Sequence, residues 1–266
     1  MLAGLVAVSE APAKLLIVEE TKMKILLTIT AVVLLALAPV ASATTLQIEY
    51  QVGTGAITDC SFPSPGPVTC LNVSGPPLRI VGLDANSNDP GTSTIAVMTS
   101  DDVDLVNNGT GSVNLQIQIS EDGFTAPVGS GTLLSHIGGT VVQAGLFASS
   151  LSYQSCINPK NTLRGVSSQG VACSTGDIAS GLSAPSIAAV GSYSNDKSAT
   201  FTGLAGPYSI VESYFITLSP GAEINWSAST TVQATTPTVP EPATSMLFLG
   251  AGLVGLGAFG RRRFQK

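Results

Sequence analysis

Val113-Asn114-Leu115-Gln116-Ile117-Gln118-Ile119 decides the fold class. Side chains of an extended chain alternate between its two faces, so here the apolar residues share one face and the amides the other. The same period of two recurs in Leu46, Ile48, Tyr50 and Val52, set between Gln47, Glu49 and Gln51. It recurs again in Ile224, Trp226, Ala228, Thr230 and Val232, set between Asn225, Ser227, Ser229, Thr231 and Gln233. Thr94–Met98, Tyr208–Leu218 and Leu78–Leu83 are further predicted strands. Trp226, in phase with Ile224, is expected in the core.

The intervals carry turn residues: 84–91, Asn108-Gly109, Asp122-Gly123 and Ser219-Pro220-Gly221, the last predicted to join the final two strands as a hairpin. No sustained helical period occurs between 44 and 239, and 140–190 scatters its apolar groups among Gly and Ser without a legible element. Only 11% of residues are charged, against roughly 25% in ordinary globular domains. The expected fold is one all-β, antiparallel β-sandwich over 44–234, jelly-roll-like, with 235–239 as a linker.

Between 44 and 242 the chain has four basic residues (Arg79, Lys160, Arg164, Lys197) and fourteen acidic ones, a net of −10. That body repels phosphate backbones, which argues against nucleic-acid binding. Cys60, Cys70, Cys156 and Cys173 form two close pairs, and local pairing of each is expected. A metal site is the rival reading, disfavoured because no C-x-x-C occurs and the single histidine, His136, is remote in sequence.

Met23-Lys24, the apolar run Ile25–Ala38, Pro39 and Ala41-Ser42-Ala43 follow the order of a secretory signal. The expected signal helix lies in 23–43, with cleavage by signal peptidase after Ala43. Residues 1–22, with Glu10, Glu19 and Glu20, suit no basic leader and are read as a gene-model extension.

At the other end, Pro240-Glu241-Pro242 precedes an apolar, Gly-rich run and then Arg261-Arg262-Arg263. Residues 243–260 would make a helix about 27 Å long, marginally enough to span a bilayer, with the arginines held inside. This 240–266 tail resembles the sorting tail of PEP-CTERM proteins, found in Gram-negative bacteria that make extracellular polysaccharide. The resemblance implies processing by an exosortase, a transient inner-membrane intermediate and a final place on the outer surface or outside the cell. A plain C-terminal anchor is the competing reading. Two G-x-G-x-x-G matches from Gly250 and Gly255 belong to the apolar run, because no strand, long helix or acidic partner can follow them.

No catalytic residue, cofactor or metal ligand is assigned. G-x-S-x-G and H-E-x-x-H are missing, and His136 reads as structural. Glu49, Glu212 and Glu223 are the glutamates weighed for a glycosidase pair. Residues 84–89 (Asp, Ala, Asn, Ser, Asn, Asp) and Asp101-Asp102-Val103-Asp104 leave a calcium loop open, although Asp89 stands where an EF-hand needs Gly. The Asn-x-Ser/Thr triplets at Asn72, Asn108 and Asn225 carry no weight in bacterial export. Taken with the tail, these features lead to the expectation of a non-enzymatic surface or matrix protein of an exopolysaccharide layer. A carbohydrate-binding module is the alternative, and a secreted hydrolase is less favoured.

Overall fold

The period-two segments pair into two antiparallel sheets. A computed structural model describes residues 44–64, 67–70, 73–75, 77–166 and 173–235. The strands are β1 (Thr44–Val52), β2 (Ile57–Ser64), β3 (Val68–Cys70), β4 (Val73–Gly75), β5 (Leu78–Ser87), β6 (Ile95–Asn107) and β7 (Val113–Phe124). They continue as β8 (Gly129–Gln143), β9 (Ser150–Asn158), β10 (Ile178–Ala179), β11 (Gly191–Leu204), β12 (Tyr208–Leu218) and β13 (Glu223–Ala234). No helix occurs among the described residues. The expected signal helix and tail helix both lie outside them.

Sheet A runs β10-β9-β12-β7-β1-β2, and sheet B runs β11-β8-β13-β6-β5-β3 with β4 also on β5. From β6 to β9 and again from β11 to β13 the chain alternates between sheets at each strand. The core lies between them, where Ile48, Ile119, Ile210 and Ile216 of sheet A meet Met98, Leu133, Ile137 and Val232 of sheet B. Tyr214 bridges Tyr153 and Trp226, with ring centroids 4.8 and 4.4 Å away. Trp226 is therefore core, as its phase predicts.

Three turn expectations need correction. Ser219-Pro220-Gly221 does not close a hairpin. β12 pairs with β7 and β9 whereas β13 pairs with β6 and β8, so these residues form an arch between sheets. Asn107 fixes that arch, donating to Leu218 O at 2.8 Å and accepting at its own carbonyl from Gly221 N at 2.9 Å. Pro and Gly report a reversal, and reversals within a sheet and between sheets use the same residues. Asp122-Gly123 is an irregularity inside β7, where Gly123 has φ +92°. Residues 84–87 are the end of β5, and the acidic run 101–104 lies within β6.

Both disulfides pair locally, Cys60–Cys70 and Cys156–Cys173. The second fastens a roof over sheet A. The chain after β9 crosses that sheet's outer face: Ser209 donates to Thr162 O, Ser120 exchanges two hydrogen bonds with the Arg164 backbone, and Glu49 accepts from Val166 N at 2.8 Å. Arg164 returns to Asp177 at 2.9 Å. Strand β12 is in consequence buried on both faces over most of its length.

Candidate functional site

The most buried titratable cluster lies between the sheets. Glu212 points inward from the middle of β12 and is wholly buried. Ser100 and Tyr214 (3.0 Å) donate to its Oε2, and Thr230 (2.7 Å) and Tyr153 (3.1 Å) to its Oε1. Burial pushes the Glu212 carboxyl above the usual carboxylate range, against four hydrogen bonds that favour the anion. The Tyr153 and Tyr214 hydroxyls are held well above their ordinary value, first by burial and then by the Glu212 charge. Ser100 and Thr230 come from sheet B, while Glu212, Tyr153 and Tyr214 come from sheet A. The cluster is a polar seam across an apolar core, closed to any substrate.

The glutamates weighed for a glycosidase pair do not meet. Glu49 faces outward on β1 and holds the roof at Val166, Glu212 faces inward, and Glu223 opens β13 at the far side of the arch. Glu121, not among those candidates, is also fully buried. Its neighbours Asp122 and Gly123 read as a turn, which hid it. Asp84 and Asn86 lie within β5, so their backbone cannot wrap an ion as an EF-hand loop does. Asn88 Oδ1 accepts from Val97 N at 2.7 Å across the β5–β6 turn. No group of three metal-ligating side chains occurs among the described residues.

Solvent meets a different arrangement on the outer face of sheet B. His136 of β8 stands between Ser229 of β13 and Asp196 of β11 in one cross-strand row. His136 Nδ1 and Asp196 Oδ1 are 2.6 Å apart, and both side chains are substantially exposed. Leu134, Ser135, Lys197, Ser198 and Thr231 complete a shallow hollow of about 690 Å³. Its polar groups can hydrogen-bond a hydroxylated ligand. The aromatic rings of the core, Trp226 included, are buried away from it.

The sorting residues Pro240, Glu241, Pro242 and Arg261–Arg263, and the cleavage residues Ala41 and Ala43, lie outside the described residues. Strand β13 ends at Ala234, close before the tail. The PEP-CTERM protein-sorting motif matches residues 238–263, spanning both the Pro-Glu-Pro triplet and the arginine cluster. The chain carries a PEP-CTERM sorting motif. That motif implies export, membrane-associated sorting and processing by an exosortase. No curated protein matches the PEP-CTERM-tailed chain. A solved structure from work on the promiscuous specificity of carbohydrate-binding modules of the β-sandwich superfamily aligns at 11% identity. The alignment covers 70% of this chain and 84% of that one, at a TM-score of 0.23, too low to carry an argument.

Proposed function

We propose that this protein is a non-enzymatic component of the cell surface or extracellular matrix, built as a jelly-roll body on a removable PEP-CTERM tail and destined for an exopolysaccharide layer. The carrying observation is the match at 238–263, which begins four residues after the last strand of the body. The strand orders β6-β13-β8-β11 and β7-β12-β9-β10 support the jelly-roll description. Two disulfides suit an oxidising compartment. Prolines on either side of Glu241 favour an extended backbone that a processing enzyme can grip. Pulse-chase fractionation of the full chain tests this reading. Glu241→Ala, or loss of the host exosortase, should leave full-length protein in the membrane fraction. Identical partitioning of wild type and variant, each with its tail intact, overturns it in favour of a permanent anchor.

A second reading, carbohydrate binding, is favoured by the hollow over β8, β11 and β13. Hydroxyl, imidazole and carboxyl groups there face solvent together.

A further inference from the structure

Thr44 opens β1 and is the residue that cleavage after Ala43 would expose. It is only 7% exposed. Its methyl fills the space where Gly123 lacks a side chain, since a Cβ on Gly123 would stand 2.1 Å from Thr44 Cγ2. Gly123 also has φ +92°, so glycine is required there twice over. Two carboxyl groups hold this end of the strand. Asp122 Oδ1 accepts from Thr45 N at 2.8 Å, and the Thr44 hydroxyl faces the Asp89 carboxyl. Asp89 Oδ1 is nevertheless buried without a hydrogen-bond partner.

Asp89 is short of positive charge. Its carboxyl is pushed up first by burial and further by the charge of Asp122, with the Thr44 hydroxyl opposing. Tyr208, the other titratable group facing Asp89, is raised first by burial and then by the same carboxylate. Ion pairs among the described residues engage Asp104, Asp177 and Asp196, and none reaches Asp89 or Asp122. A half-buried carboxylate without a cation is unfavourable, and a second one beside it makes it more so.

We propose that signal-peptide cleavage supplies the missing cation, the new α-ammonium of Thr44 forming an ion pair with Asp89 and Asp122 that locks β1 into sheet A. Hydrolysis of the Ala43–Thr44 peptide adds one water, leaving a carboxylate on Ala43 and an amine on Thr44. That amine binds a proton at neutral pH, its ordinary pKa being about 8. In the uncut chain the same nitrogen is an uncharged amide. It lies three bonds from the hydroxyl that faces Asp89, and next along the backbone to the nitrogen that Asp122 holds. The proposal rests on the export reading for its biological setting, but its chemistry can be tested with defined termini.

Two chains, 44–266 and the same chain retaining Ala41-Ser42-Ala43, are compared in detergent micelles by thermal unfolding. The extended chain should melt about 2–4 °C lower, and the difference should vanish when both carry Asp89→Asn and Asp122→Asn. Equal melting of the two wild-type chains overturns the ion pair, as does a penalty that persists in the Asn variants. If those variants do not fold, acylation of the α-amine at neutral pH decides. Folded 44–266 should react about tenfold more slowly than the denatured chain, the equivalent of a one-unit pKa rise, and an equal rate overturns the proposal. The N-terminal mass of exported protein separately reports whether the cell cuts at Ala43.

Discussion

The outer faces of the two sheets were built from similar residues and came to opposite ends. Sheet A presents Glu49, Gln118, Ser120 and Ser213 outward, and sheet B presents His136, Ser198, Ser229 and Thr231. The first set is covered by the chain after β9 and holds it through Ser120 and Glu49; the second faces water. What separates them is supply: a polar sheet face becomes interior when a loop brings backbone groups to satisfy it and a disulfide keeps that loop in place. The face without a roof gives a ligand direct access.

A matched pair of serines offers the sharpest way to break this contrast. Ser120→Leu, under the roof, should cost about 2–5 kcal/mol, from overpacking and from the two hydrogen bonds lost with Arg164. Ser229→Leu, in the open, should stay within about 0.5 kcal/mol of wild type. Urea unfolding monitored by Trp226 fluorescence measures both, and equal small effects would mean that the roof is not packed down. Next in size is the fastening. Cys156→Ser with Cys173→Ser should cost about 2–3 kcal/mol and raise hydrogen exchange at 159–166 while leaving β8 and β13 protected. Exchange that rises equally in both sheets would tie the disulfide to the whole sandwich and not to its roof.

The seam between the sheets gives a pH test. An acid whose pKa is higher in the folded state binds its proton more tightly there. Its stabilisation is complete below the unfolded carboxylate range and is lost as pH rises through the folded value. Stability should therefore fall as pH is raised from about 4 toward neutral, by up to about 1.4 kcal/mol per pH unit. Glu212→Gln, which keeps the shape without the titration, should flatten that fall. Superimposable profiles would show that Glu212 does not titrate differently on folding. The smallest change concerns ligand rather than stability: His136→Ala should leave the melting temperature in place and abolish any binding of the mature chain on a glycan array. Binding that survives His136→Ala places the carbohydrate contact elsewhere.

Period-two alternation marked β1, the first half of β7, β12 and β13, and the starts of β5 and β6, where the inward residues are mostly apolar. It missed β8 and β11 for a physical reason. Gly131 and Gly139 stand at inward positions of β8 and leave room for the rings of Phe201 and Tyr193, so the apolar groups filling those places are written on another strand. β11 is an edge strand with few inward apolar residues, and its alternation is faint. Local cysteine pairing was legible because short loops close easily. The arch at Ser219–Gly221 was not, since sheet membership depends on partners far away in the chain. The Glu212 seam was hidden because a glutamate between apolar neighbours in β12 gives no sign of which residues will face it from sheet B.

The position of β13 decides how the body bears a pull on its tail. The strand lies inside sheet B with β8 on one side and β6 on the other, and the tail continues from its end. Tension drawn through the tail enters at Ala234 and runs along the strand, loading both ladders of hydrogen bonds in shear rather than peeling them one at a time. An edge strand such as β11 in the same place would unzip. Any load on the tail is thus met along the whole length of an internal strand.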